Sequence, residues 1–261
     1  MEIKQSRPRT HFMPEYFGNT LHPLTVDLVG CGGNGSIMLS CLASINHALV
    51  SMGRMGLCVT AYDADTVDEA NLGRQLFTPS ELGMNKATAL ISRFNRVFGT
   101  SWKSVPEKYR YNRKTNIIIT CTDNIESRKY VSSNFRKSTG DIDTAYKEDL
   151  NYYWLDLGNG KTSGQAVLGS VQIKQPHSAK FDTVEKLPTI TDLFSLTKKD
   201  EKDSGPSCSL AEALEKQDLF INRSIATEAA DLLWHLLKKG HIEIHGFFKN
   251  LEEMRTVPIE I

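Results

Sequence analysis

The stretch that most constrains this chain runs from Thr25 to Lys86. Thr25-Val26-Asp27-Leu28-Val29 is a short apolar run that delivers the loop Gly30-Cys31-Gly32-Gly33-Asn34-Gly35, and a second run, Leu57 to Tyr62, ends on Asp63-Ala64-Asp65. Between them, Asn34 to Met52 carries Ile37, Leu39, Leu42, Ile45 and Leu49 on one side of a helical repeat, and Gly53 and Gly56 break it. The order strand, glycine loop, helix, strand predicts a β-α-β unit with a parallel pair. A glycine loop that opens a helix lets backbone N–H groups and the positive helix end approach a phosphate, and an acidic residue closing the next strand suits a ribose hydroxyl. The loop alone fits a tight strand-to-helix turn equally well. What a plain dinucleotide fold does not require is the sequel: Asn71-Leu72-Gly73-Arg74-Gln75, then Gly83-Met84-Asn85-Lys86.

Further along, Ser80 is expected to open a helix through Lys86, Leu90, Ile91 and Phe94, ending near Gly99, with a short strand near Trp102 to Val105. Thr115 to Cys121 is an almost continuous apolar run of the kind buried in a parallel sheet, and it ends on Thr122-Asp123-Asn124 before a helix from Ile125 to about Phe135. Asp123 therefore stands at a strand's carboxyl end, where open α/β sheets place ligand chemistry. From Tyr152 the character changes. Tyr153 to Leu157 and Gln165 to Ile173 read as strands joined by Gly158-Asn159-Gly160-Lys161, a connection too short for anything but antiparallel pairing. Residues 174 to 207 are irregular, with a short helix possible within 181 to 196. Asp218 is placed to cap a long helix through Ile225, Leu233 and Leu237 to Gly240, and His241 to His245 and Met254 to Ile259 read as closing strands.

The expected class is α/β: a doubly wound, Rossmann-like mixed sheet, parallel in its N-terminal half and antiparallel in its C-terminal half. The expected organisation is an exposed N-terminal arm over 1–24, a nucleotide-binding core over 25–175, a crossing loop with Cys208 over 176–210, and a helix and strands over 211–261 that complete the same domain.

Composition sets outer limits. Lysine plus arginine and aspartate plus glutamate are both 31, so no global field favours nucleic acid or a membrane surface, and recognition of a charged partner must be local. Five cysteines without a C-x-x-C pair point to a reducing, cytoplasmic compartment and away from structural zinc. Met1 to Thr10 has no signal-peptide pattern and no run is apolar enough for a spanning helix, so a soluble protein is expected. None of the seven histidines shows metal-ligand spacing.

Taken in order, G-x-G-G-x-G, D-x-D at the second strand end, N-L-x-R-Q, G-x-x-K and T-D-N at 122 to 124 make the chain resemble the ThiF, MoeB and ubiquitin-activating enzyme superfamily. Pro206-Ser207-Cys208-Ser209-Leu210 and Gln217-Asp218-Leu219-Phe220-Ile221-Asn222 resemble more narrowly the ThiF-family proteins of bacterial PRTRC systems. The resemblance implies ATP-dependent adenylation of the C-terminal glycine carboxylate of a ubiquitin-like protein, with magnesium, in a homodimer. It implies that Gly30, Gly32, Gly33, Gly35, Asp63, Asn71, Arg74, Gln75 and Lys86 hold the nucleotide and that Asp123 ligates magnesium. Arg74 and Lys86 would stabilise charge building on the phosphates, Arg74 as a planar fork and Lys86 as a point charge. Asp65 is read as a carboxylate that structures its loop, and Asp123 has a helix N-cap as its competing role. For Cys208 two readings stand: a thioester acceptor near a helix start, or an inert cysteine. Cys31, Cys41, Cys58 and Cys121 are read as small apolar residues. Arg7 or Arg9 would reach a partner protomer's nucleotide, or lie in solvent. The rival functions are an NAD-dependent oxidoreductase, which leaves Arg74, Lys86 and Asp123 unexplained, and a non-catalytic nucleotide-binding scaffold.

Overall fold

The computed structural model describes residues 7–136, 150–195 and 214–261. The strands are β1 (Arg9–Phe12), β2 (Leu24–Val29), β3 (Leu57–Tyr62), β4 (Lys103–Val105), β5 (Ile117–Thr120), β6 (Tyr153–Asn159), β7 (Ser163–Ser170), β8 (Asp182–Thr183), β9 (His241–Ile242), β10 (Ile244–Asn250) and β11 (Arg255–Glu260). The helices are α1 (Glu15–Gly18), α2 (Gly33–Ser51), α3 (Lys86–Phe98), α4 (Ile125–Phe135), α5 (Ile190–Leu193) and α6 (Ile221–Lys239). Eight strands form one sheet in the order β11-β10-β7-β6-β5-β2-β3-β4. From β4 to β6 all neighbours are parallel; β6-β7, β7-β10 and β10-β11 are antiparallel. The expected mixed sheet is the observed one.

The physical basis is direct. Val26, Leu28, Val59, Ala61, Ile117, Ile118 and Ile119 are wholly buried, as strands covered on both faces demand. The chain steps outward from β2 to β3 and β4, then returns to β5 on the other side of β2. The order of strands thus reverses between β2 and β5, and the carboxyl ends of these two strands open a crevice. α2 packs extensively on α6, so the glycine loop at the start of α2 lies beside the start of α6.

Several element boundaries differ from the sequence reading for identifiable reasons. Ser80 does not start α3: Pro79–Glu81 is a single 3-10 turn closed by a Thr78–Glu81 capping box, and α3 begins at Lys86 behind its own cap, Asn85, whose side chain accepts the Thr88 N–H. Asp218 accepts the Phe220 N–H at 2.9 Å but lies before the helix, which starts at Ile221. Within 174–195, β8 and α5 supply the regular structure.

The N-terminal segment differs most. Instead of an exposed arm, Arg9–Phe12 is the central strand of a second, three-stranded sheet, parallel to β8 and antiparallel to β9. Thr10, His11 and Phe17 are buried. His11 Nδ1 lies 2.7 Å from the Val184 carbonyl and Nε2 lies 3.0 Å from the Tyr153 hydroxyl, and burial lowers the imidazole pKa to about 4. Arg7, outside that sheet, donates to the Ser178 carbonyl at 3.2 Å, and Arg9 is exposed.

Candidate nucleotide site

The glycine loop owes its shape to two positions. Gly30 has φ +91°, and a Cβ there would stand 3.0 Å from the Cys121 carbonyl oxygen. A Cβ at Gly35 would fall 1.8 Å from the Gly30 carbonyl oxygen, a backbone atom that cannot give way. The loop is thus folded tightly on itself and against the end of β5, where Cys121 N–H donates to Val29 at 2.8 Å. Gly33 is shaved by Asn222, whose side chain would lie 2.5 Å from an added Cβ, whereas above Gly32 the nearest atom is Gln75 Oε1 at 3.9 Å. The start of α2 has no side-chain cap, so its first-turn N–H groups have no side-chain acceptor and suit an anion.

Asp63 ties this loop to β3. Its Oδ2 accepts the Cys31 N–H at 2.6 Å and its Oδ1 accepts the Asp65 N–H at 2.8 Å; burial pushes its carboxyl pKa up against those bonds. Asp65 is tied to its loop through its backbone and not its carboxylate: its main-chain carbonyl accepts the Lys86 N–H at 2.9 Å and the Asn85 side chain at 3.0 Å. Its largely exposed carboxylate stands 3.4 Å from Lys86 Nζ, while the lysine itself is only 9% exposed. Lys86 thus presents a buried stem and a charged tip to the crevice side of α3.

Asn71 is held by a reciprocal capping box with Asp68, both bonds at 3.1 Å. Leu76 N–H donates to Ser36 Oγ at 3.1 Å, fastening the N-L-x-R-Q stretch to the first turns of α2. Arg74 donates to Gln217 Oε1, and its Nε is buried without a partner. No ion pair reaches Arg74 among the described residues, and burial pulls its guanidinium pKa down, opposed by Asp68. Gln75 is buried and its Oε1 is unpartnered.

At the end of β5, Thr122 approaches Gly30, with its methyl 3.2 Å from an added Cβ, and its Oγ1 is buried and unpartnered. Asp123 is exposed. The cap of α4 is Asn124, which accepts the Glu126 N–H at 2.8 Å and the Ser127 N–H at 3.4 Å. Capping therefore does not occupy Asp123. Below it, Asp156 accepts from Arg128 Nε at 3.0 Å and Thr120 Oγ1 at 2.5 Å, and Trp154 donates to that hydroxyl at 2.8 Å. This buried network locks β5, α4 and β6 under the site. An arginine on the Ile125–Val131–Phe135 face of α4 was its sequence signal.

The structure thus gathers the glycine loop, Asp63, Asn71, Arg74, Gln75, Lys86 and Asp123 at one end of the sheet. Three more residues join them to which the sequence reading gave no part in the nucleotide site: Asn222, Gln217, and Asn159, whose Oδ1 accepts from Asn34 at 2.8 Å. Cys208 lies outside the described residues. Of the other cysteines, Cys31 is buried and Cys41, Cys58 and Cys121 are partly so; burial raises the thiol pKa of Cys31, Cys41 and Cys121, which disfavours thiolate. No helix is long and apolar enough to cross a membrane among the described residues.

A doubly wound sheet with a glycine loop at its point of reversal and an acidic residue ending the next strand defines an α/β protein of the Rossmann-like class. The profile of the ThiF family matches residues 8–257, and the chain belongs to that family. Among characterised relatives it is 33% identical over 187 residues to the ubiquitin-like modifier-activating enzyme 6 of Mus musculus, covering 65% of this chain and 16% of the relative. It is 26% identical over 172 residues to the ubiquitin-like modifier-activating enzyme 5 of Oryza sativa, covering 58% of this chain and 35% of the relative. The chain therefore spans at most about a third of these relatives. Among solved structures, E. coli MccB with ATP superposes with a TM-score of 0.58 at 12% identity over 92% of this chain and 64% of that one. PaaA superposes with a TM-score of 0.54 at 14% identity, over 91% and 64%. These two likenesses are of fold.

Proposed function

We propose that this chain binds ATP in the β2–β5 crevice and adenylates the C-terminal glycine carboxylate of a ubiquitin-like protein. The observation that carries the reading is Arg74. A half-buried guanidinium whose side-chain bond goes to a neutral amide, beside a glycine loop with uncapped helical N–H groups, is a cation waiting for an anion. An unpaired buried charge is costly in a site with no anionic ligand. Kinship with ubiquitin-like modifier-activating enzymes supports the carboxylate as acceptor.

In this reading a carboxylate oxygen attacks the α-phosphorus, the bond from that phosphorus to the bridging oxygen breaks, and pyrophosphate leaves. The first-turn amides of α2 and Arg74 bind the phosphates, and the cations counter the charge that develops in passing to products. Lys86 turns from Asp65 to the same oxygens, and Asp63 offers its second lone pairs to the ribose. Magnesium fits the residues present, since Asp123 is an exposed carboxylate free of capping duty and Mg²⁺ takes one or two carboxylates plus phosphate oxygens. When bound, the ion neutralises phosphate charge. Transfer to Cys208 as a thioester, a homodimer with Arg7 or Arg9 acting across it, and membership of a PRTRC-type system are finer parts of the same proposal.

The test is ATP–pyrophosphate exchange with and without small proteins ending in glycine. Exchange that requires such a protein supports the proposal. ATP binding without exchange for any candidate leaves a scaffold, and stabilisation by NAD but not by ATP overturns the proposal. Cys208→Ala should keep exchange and remove any reducible adduct with the partner.

A further inference from the structure

Gln217 and Asn222 belong to a stretch that the nucleotide motifs do not explain, yet they sit inside the site. Asn222 is 3% exposed, and its side chain lies where a Cβ on Gly33 would be. Its Nδ2 donates to Gln217 Oε1 at 3.3 Å, and the same oxygen accepts from Arg74 Nη1. A single amide oxygen thus links the guanidinium to the glycine loop through Asn222. That oxygen is a neutral acceptor doing what an anionic oxygen does better, since a hydrogen bond from a cation to an anion is roughly twice as strong as a neutral one. Arg74 Nε, buried and unpartnered beside it, shows that the seat is built for more acceptor than the amide supplies.

We infer that Gln217 is a positioning residue for the nucleotide. Its side-chain oxygen holds Arg74 in the free protein at the place a phosphate oxygen later takes, and it yields that place when the triphosphate arrives. Asn222 keeps the amide over the loop and, by packing on Gly33, sets how closely the phosphates approach. The neutrality of Gln217 is the essential property: an acceptor strong enough to fix Arg74, and weak enough to be displaced. This rests on the ATP reading above for the identity of the anion, but the Arg74–Gln217 contact is testable without it.

The experiment is a charge change. Gln217→Glu keeps size and shape and gives Arg74 a permanent anionic partner. In the full chain without nucleotide it should raise the melting temperature by about 2–4 °C, and this rise should vanish in the Arg74→Ala background. With Mg·ATP as the probe, calorimetry should show at least tenfold weaker binding to Gln217→Glu than to wild type, whereas Gln217→Ala should lose less than Gln217→Glu. In exchange assays the change should lie in KM for ATP rather than in kcat. A merely structural glutamine would make Gln217→Ala the worse variant on both measures. Equal ATP affinity of Gln217→Glu and wild type overturns the inference while leaving ATP binding intact. No ATP binding by wild type overturns the inference and its parent reading together. Gln217→Glu without the Arg74-dependent rise overturns the contact alone and with it the inference.

Discussion

The crevice and the N-terminal seam are both polar, partly buried assemblies, but they are built on opposite plans. In the crevice, backbone geometry does the positioning: a loop folded so tightly that Gly35 meets Gly30, and Asp63 receiving two backbone N–H groups. At the seam, side chains do it: His11 bridges Val184 and Tyr153, partners 173 and 142 residues away. A site made of backbone leaves its charged side chains free for a ligand, whereas a seam made of side chains spends them on the fold.

The largest effect expected from that difference is at the loop. Gly35→Ala places a methyl 1.8 Å from a backbone oxygen and should cost several kcal/mol, enough to abolish folding or lower the melting temperature by more than about 10 °C. Gly32→Ala meets nothing closer than 3.9 Å and should stay within about 1 kcal/mol of wild type, yet lose stabilisation by ATP because its methyl stands on the open side of the loop. Thermal melts with and without Mg·ATP check both. Equal melts for the two variants would show that the loop is not held by its own backbone.

Next comes Arg74→Ala. Since Arg74 makes no ion pair with the described residues, its loss should leave the melting temperature near that of wild type while exchange falls by about 10²-fold or more, the scale of removing a charge-stabilising donor. A variant that melts early instead would place Arg74 with the seam, among residues that serve the fold.

Two buried groups, His11 at the seam and Asp27 in the central sheet, should also answer pH in opposite directions. Burial lowers His11 to about 4 from 6.5, so the unfolded chain binds more protons between those values and stability from the seam is lost as pH falls through that window. Asp27, buried in β2 under Tyr109, is raised to about 6 from 3.8, so there the folded chain binds more protons and stability is lost as pH rises. Each is worth roughly 3 kcal/mol by the size of its shift, and in wild type they largely cancel. Denaturant melts from pH 4 to 7 should therefore expose a falling profile in His11→Gln and a rising one in Asp27→Asn. Parallel profiles would refute the opposition.

What could be read from the sequence follows the same divide. The crevice was legible because its parts are contiguous: strand, glycines, helix and the Asp63, Arg74 and Lys86 positions fall within the 62 residues from Thr25 to Lys86, and each carries a local physical signature. The antiparallel half was legible from one short turn at Gly158-Asn159-Gly160-Lys161. The seam was not, because a four-residue strand such as Arg9–Phe12 has no periodicity of its own; its burial is decided by β8 and β9, far along the chain. Gln217 and Asn222 stand in the sequence only as part of a family resemblance; their place in the site was not legible there, because it depends on α6 packing beside α2.

The smallest effect is also the sharpest division of labour, between neighbours. Asn124 caps α4 with two backbone bonds, so Asn124→Ala should cost about 1 kcal/mol of stability while exchange, measured at a temperature where the variant is folded, stays within a few-fold of wild type. Asp123, exposed and without a capping bond, should behave inversely: Asp123→Ala should change stability by less than about 0.5 kcal/mol and abolish magnesium-dependent exchange. The discriminating measurement is the pair of ratios, stability against exchange, for the two variants. If Asp123→Ala lost stability and kept exchange, the carboxylate at the end of β5 would belong to the fold, and the magnesium would need another ligand.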